Sequence, residues 1–276
     1  MQLGIFAKTF SADNPLQALD AVQKAGFVCA QYNMSCSGLS AMPDAIDTKT
    51  AAAVGQASED TNIPIVAVSA TFNMIHPEKS VREAGLRLMA VVAENAKAMG
   101  TQLLTLCSGT RNPDDKWLSH PDNDSLRAWG DLLQTMEHAI KIAETHDVKL
   151  GLEPELANVV NSIAKAGRLI TQLQSDRLKI VLDPVNLFEK ISLSEQRRVV
   201  SEAVESAADH LVMTHAKDRT PDGEFTTAGK GILDFRHFLQ ALSDCGFDGP
   251  LVTHGLTAKQ APGVARFLRK ILKQVK

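Results

Sequence analysis

The stretch "VKLGLEPE", residues 148–155, runs mostly apolar and then stops on two carboxylates, Glu153 and Glu155, either side of Pro154. A short apolar run of this kind reads as a strand buried on both faces. A strand that ends in charge has left the core and met either water or a ligand. The same pattern recurs further on, in "LKIVLD" (Leu178–Asp183), "HLVMTH" (His210–His215) and "PLVTH" (Pro250–His254). Before it come "LGIFAK" (Leu3–Lys8), "FVCAQYN" (Phe27–Asn33), "IPIVAVSATFN" (Ile63–Asn73) and "QLLTLCS" (Gln102–Ser108), so that "KLGLE" (Lys149–Glu153) is the fifth strand of eight.

Helical patterns fill the gaps. "SVREAGLRLMAVVAENAKAMG" opens with a capping box, Ser80-x-x-Glu83, and closes on Gly100, with Val81, Ala84, Leu88, Val91 and Val92 as the expected apolar stripe. "SLRAWGDLLQTMEHAIKIAETHD" repeats the spacing with Leu126, Trp129, Leu133, Met136 and Ile140. A second box, Ser192-x-x-Glu195, opens "SLSEQRRVVSEAVESAAD", and the closing helix carries Val264, Phe267, Leu268, Ile271 and Leu272. Eight strand–helix units of about 35 residues each match the size of a βαβ repeat. They predict a (β/α)8 TIM barrel, α/β in class, as a single domain over residues 1–276. The rival doubly wound sheet would place a GxGxxG turn after the first strand, and none is there.

Composition narrows the function. With 44% hydrophobic and 22% charged residues and a net charge of −3, the chain shows no broad basic surface, which argues against a nucleic-acid partner. Cys29, Cys36, Cys107 and Cys245 form no CxxC pair and read as reduced thiols of a cytoplasmic protein. "MQLGIFAKTF" lacks the basic-then-apolar layout of a signal peptide. No run approaches about 18 consecutive apolar residues, so no membrane span is expected.

Active sites of such barrels lie where the strands end. Strands five to eight end in Glu153, Asp183, His215 and His254. Each alone would read as a paired or solvated strand end. Four in a row, on strands about 4.8 Å apart, can converge on one cation. Two carboxylates and two imidazoles suit one divalent metal ion, Mn²⁺, Zn²⁺, Fe²⁺ or Co²⁺, better than Ca²⁺. Other rim residues are candidates for holding substrate or serve ordinary loop roles: Lys8 after strand one, Asn73 and His76 after strand three, Cys107 and Arg111 after strand four. Lys217 is placed to hold an oxyanion or donate a proton. "GKG" (Gly229–Gly231) could cup a phosphate, or be the turn before a helix capped near Asp234.

With "LEPE", "VLDPVN", "THAKD" and "GKGILDF" in view, the chain resembles the xylose-isomerase-like TIM barrels, the sugar phosphate isomerase/epimerase family, over nearly its whole length. The resemblance implies a metal set of Glu153, Asp183, His215 and position 254, with Glu153 as the base and Asn186 facing substrate. Glu155, turned by Pro154, is the second candidate base. The family's usual fourth ligand is a glutamate that also moves protons; here it is His254. The exchange removes one negative charge and one proton carrier from the site. The expected chemistry is proton abstraction beside a carbonyl, through an enediolate, on a small sugar, keto-sugar or polyol. A lyase or dehydratase, which needs only one base, is the alternative, followed by a non-catalytic sugar-binding protein. Endonuclease IV-like cleavage does not fit, since it needs a larger metal cluster and a basic groove. A homo-oligomer is compatible with the sequence and not specified by it.

Overall fold

Strands and helices alternate eightfold in the order the sequence implies. In the computed structural model, described over residues 1–275, the strands are β1 (Gln2–Phe6), β2 (Cys29–Tyr32), β3 (Ile65–Ser69) and β4 (Leu103–Cys107). β5 (Lys149–Glu153), β6 (Leu178–Leu182), β7 (Leu211–Ala216) and β8 (Pro250–Thr253) follow. The helices are α1 (Pro15–Lys24), α2 (Thr48–Thr61), α3 (Lys79–Ala96), α4 (Leu126–Thr145), α5 (Ile163–Leu173), α6 (Leu193–Ala207), α7 (Phe235–Asp244) and α8 (Ala261–Leu272). Neighbouring strands are parallel throughout, and β1 closes the ring against β8 with Gln2 opposite Pro250. The result is a (β/α)8 barrel. A small antiparallel ribbon, Asp218–Arg219 with Phe225–Thr226, projects after β7.

Short polar side chains start most helices. Asn14, Asp47, Ser125, Ser162, Ser192 and Asp234 each accept a backbone N–H from the first turn of the helix that follows, satisfying donors that have no partner within the helix. The expected box at Ser80 is not used. α3 begins at Lys79, with Glu78 in the capping position and no side-chain cap. Arg82 reaches back to the His76 carbonyl (2.6 Å) and draws the chain into helix early. The apolar stripe of α3 is also turned from the expected one: Arg82, Gly85, Met89, Val92, Ala93 and Ala96 are buried, while Val81 is 40% exposed. Gly85 decides this. A Cβ there would collide with the Phe72 ring, so the helix packs through its glycine and not through its larger side chains.

Two apolar zones hold the barrel. One lies between the outside of the sheet and the helices. The other fills the interior with Ala67, Leu103, Val181, Met213 and Val252. Strand side chains alternate, so a residue two further on sits on the same face, one layer higher. Those next residues are Ser69, Thr105, Asp183, His215 and His254. The barrel therefore has an apolar floor and a polar, ligand-bearing layer directly above it. Among the described residues, no helix is long and apolar enough to cross a membrane.

Candidate active site

Glu153 is the last residue of β5, Asp183 follows β6, His215 lies one residue from the end of β7, and His254 follows β8. These four residues come to one place. Each offers a ligand atom, and the four atoms lie within 4.8 Å of one another. They sit at the base of a cavity of about 710 Å³ at the C-terminal mouth of the barrel, where Glu153, His215 and His254 form part of its lining.

The surrounding hydrogen bonds orient them. His215 Nε2 is 2.8 Å from Gln31 Oε1, and the Gln31 amide in turn donates to Thr105 Oγ1 at 3.1 Å. With its carbonyl facing the ring, Gln31 accepts the Nε2 proton. Nδ1 then faces the cluster, 3.0 Å from Glu153 Oε1. Burial there opposes a charge on the ring, yet Glu153 and Asp183 raise its pKa. The charged ring pairs with Glu153, and the neutral ring, its Nε2–H held by Gln31, offers Nδ1 to a cation. Asn186 donates to the same Glu153 oxygen at 3.0 Å. Asp183 uses Oδ1 to accept the Val185 amide. Its Oδ2 and His254 Nε2 are buried without any hydrogen-bond partner; they lie 3.7 Å apart, with Lys217 Nζ 3.3 Å from Asp183 Oδ2. Buried polar atoms are nearly always satisfied; Asp183 Oδ2 has only the ion pair with Lys217, and His254 Nε2 has no hydrogen bond, so the cluster has donor capacity to spare for a cation.

The charges are tuned by burial and by each other. Burial pushes the Asp183 carboxyl up, but Lys217 and the two imidazoles together hold it far below the usual range. Burial likewise works against Glu153, and His215 overcomes it, so Glu153 is ionised. Burial and the neighbouring His215 push His254 down to about 4, which keeps its ring neutral and able to ligate. Burial and the repulsion of Glu153 push Glu155 up to about 7. Lys217 is opposed by burial yet raised by Asp183, Glu153 and Glu155, so it remains an ammonium.

Of the remaining expected residues, Lys8, Cys107, Glu155, Asn186 and Lys217 line the cavity. Lys217 Nζ donates to Asn186 Oδ1 at 3.1 Å, and the Cys107 thiol donates to Glu155 Oε1 at 3.4 Å. Burial and the two glutamates drive the Cys107 pKa well above that of a free thiol, so it is no nucleophile. Asn73, His76 and Arg111 are not part of the lining. Asn73 donates to the Thr110 carbonyl (2.8 Å) and accepts the Thr110 amide (3.1 Å). His76 Nε2 donates to the Pro113 carbonyl (3.1 Å), and its Nδ1 accepts the Glu78 amide. Arg111 binds the Ile75 carbonyl and shares Asp131 with Arg82. All three brace the loop between β4 and α4. The "GKG" amides are also spoken for: Gly229 and Gly231 both donate to Asp218 Oδ2 (3.0 and 2.9 Å), and a side chain at Gly231 would collide with the Arg219 carbonyl. The turn before the Asp234-capped α7 is what the segment builds, not a phosphate cup.

Sequence reasoning missed Gln31, Lys116, Trp117, Arg219 and Phe225, all on the cavity wall. Gln31 had a signal: a buried amide in the middle of an apolar strand. Phe225 had none, since its place depends on the ribbon, where Lys217 Nζ and the Arg219 guanidinium flank its ring at 3.9 and 4.0 Å.

A (β/α)8 barrel with side chains able to ligate a metal at four consecutive strand ends defines the class. Residues 19–273 match the family model described as the xylose isomerase-like TIM barrel, and the chain belongs to that family. It is 24% identical over 255 residues to the L-ribulose-5-phosphate 3-epimerase UlaE of Escherichia coli strain SMS-3-5, covering 90% of this chain and 84% of that protein. The corresponding protein of Shigella flexneri serotype 5b is 26% identical over 192 residues, which span 68% of this chain and 62% of the relative. The apo 3-keto-D-glucoside 4-epimerase YcjR from E. coli shares the fold, with a TM-score of 0.78 at 16% identity, covering 98% of this chain and 99% of that one.

Proposed function

We propose that the protein is a divalent-metal-dependent isomerase or epimerase of a small sugar, keto-sugar or polyol. The observation that carries this reading is the pair Asp183 Oδ2 and His254 Nε2, buried without a hydrogen bond inside a four-residue cluster of ligand atoms. The donor set fits a cation on its own terms: two carboxylates, two imidazoles, and an outer amide at Gln31 that fixes one ring. Glu153, Asp183, His215 and His254 would hold the ion, with Mn²⁺, Zn²⁺, Fe²⁺ and Co²⁺ the candidates. When bound, such an ion polarises a carbonyl and stabilises negative charge on the oxygen. The sugar epimerases among the relatives support the reaction class, and four unpaired thiols suit a reducing, cytoplasmic setting.

The chain's own groups supply the rest. Glu153, ionised and held by Asn186, is the base that takes a proton from the carbon beside the carbonyl. Glu155 has a carboxylate oxygen within 4.8 Å of one on Glu153. Neighbouring carboxyls whose surroundings push their pKa values apart divide into base and acid, and Glu155 is then suited to return a proton. Lys217, fixed by Asn186 and Asp183, presents a permanent positive charge to the oxygen on which the enediolate charge gathers. The apolar floor excludes water from below.

A second reading is favoured by one specific feature. With His254 at the fourth position, both proton-carrying glutamates stand on the β5 side of the site, which suits one-base elimination as well as isomerisation. The test is exchange in D₂O with metal-loaded protein and a panel of ketoses. Deuterium entering the substrate without dehydration supports the isomerase, and an unsaturated product supports a lyase. Glu153→Gln should lower exchange by roughly 10²- to 10⁴-fold, the usual contribution of a positioned base. Retained exchange would pass the role to Glu155.

A further inference from the structure

Phe225 stands in an odd place for an apolar ring. It lies on the ribbon after β7 and is 51% exposed. Two cations lie against it, Lys217 Nζ at 3.9 Å and the Arg219 guanidinium at 4.0 Å from the ring centre. The proposed chemistry gives it no part. A ring half in water buries little apolar area; what it offers its neighbours is a negative π-face.

That ring is a fixed platform. Asp218, fully buried at the root of the ribbon, accepts the backbone amides of Arg219, Gly229, Gly231 and Leu233 at 2.9–3.0 Å. Arg219 Nε donates to the Val185 carbonyl at 2.7 Å, and a terminal N–H of the same side chain donates to the Gly223 carbonyl. Arg219 pairs directly opposite Phe225 across the ribbon. The ring is thereby tied to the segment that follows Asp183.

Lys217 is drawn two ways. Its Nζ donates to Asn186 Oδ1 at 3.1 Å. It also lies 3.3 Å from Asp183 Oδ2, and that oxygen makes no hydrogen bond. An unhindered ammonium–carboxylate bond is about 2.7–2.9 Å long. The four-carbon stem of a lysine is flexible enough to close such a gap. Attraction between full charges outweighs that of a neutral amide, so an ammonium free to move settles on the carboxylate. Here it stops short, with the Phe225 ring beside it.

We infer that Phe225 is a positioning residue: its ring holds the Lys217 ammonium off Asp183 Oδ2, leaving that oxygen open to a metal ion and the charge free to face the substrate oxygen. The roles of Asp183 and Lys217 rest on the metal-dependent isomerase reading; the role of the ring is new. Without it, Lys217 competes with the metal for one oxygen.

Four full-length proteins test this: the parent, Phe225→Leu, Lys217→Met and the double variant. Mn²⁺ affinity is read by competition with a chelator, and proton exchange by deuterium uptake into a panel of ketoses. Phe225→Leu is expected to weaken Mn²⁺ binding roughly 3- to 30-fold, the range of a cation–π contact, and to have no effect in the Lys217→Met background. At saturating Mn²⁺ it should still slow exchange through kcat, with KM unchanged. Phe225→Tyr should match the parent on both counts. Ring-fluorinated phenylalanine at position 225 keeps the shape and drains the π-face, so metal affinity should step down with each fluorine. An equal loss in both backgrounds means that the ring only supports the ribbon, and overturns the inference; so does no loss in Phe225→Leu. The two readings fail separately. A metal-affinity effect of Phe225 that depends on Lys217, with no exchange on any ketose, sinks the isomerase and leaves the positioning role. Exchange in the parent without that dependence does the reverse, and a parent that takes up no Mn²⁺ sinks both.

Discussion

The rim of the barrel is built in two different ways. Along β5 to β8, the chemically able residue stands at the strand end or within one residue of it, and each of the four turns inward to a common centre. Along β3 and β4, the able residues stand further out. Asn73 and His76 lie four and seven residues past Ser69, and Arg111 lies four past Cys107. At that distance the strand's alternation no longer dictates direction, and backbone in the loop competes for every donor and acceptor. The same residue types therefore offer ligand atoms to one cluster on one side and brace the chain on the other. What separates the roles is distance from the last ladder hydrogen bond.

Substitution can break or sharpen this contrast. The largest effect is expected at Asp183→Ala, which removes a buried oxygen from the centre of the cluster. Metal should be missing from the purified protein by elemental analysis, a loss exceeding the roughly 10- to 100-fold that an outer-partner change costs. Metal retained in both this variant and His215→Ala would erase the distinction between the two arcs. Next comes Asp131→Ala. It strands two guanidiniums, Arg82 and Arg111, whose side chains are only 7% and 6% exposed. The cost should be about 3 kcal/mol of unfolding free energy, read from a denaturant midpoint, with metal affinity unchanged. A matching fall in metal affinity would mean that the bracing arc and the ligating arc are one unit. The smallest is Gln31→Ala, which frees the His215 ring to turn. Metal affinity should drop by roughly 10- to 100-fold at nearly constant stability, measured by competition with a chelator.

Much of this was legible in the sequence, for a reason tied to the strands. Fully buried parallel strands are continuous apolar runs, so a charged residue closing one stands out, and Glu153, Asp183, His215 and His254 were found that way. Ser192 and Asp234 could be read as caps because their chemistry is local. The failures share a cause as well. β3 ends at Ser69, not Asn73, because nothing in "SATFN" signals where the ladder stops. α3 presents Gly85 to the core, where periodicity alone favours its larger residues. Gln31, Lys116 and Phe225 matter only through partners distant in the chain, and a single sequence carries no record of those.

The plug of Ala67, Leu103, Val181, Met213 and Val252 makes the hollow a cul-de-sac. Nothing can pass through the ring of strands, so reactant and product share one doorway and cannot cross in transit. Each turnover must end with departure past the loops that admitted the molecule. Whatever the mouth selects on entry it also holds on exit, linking selectivity at the threshold to the pace of release.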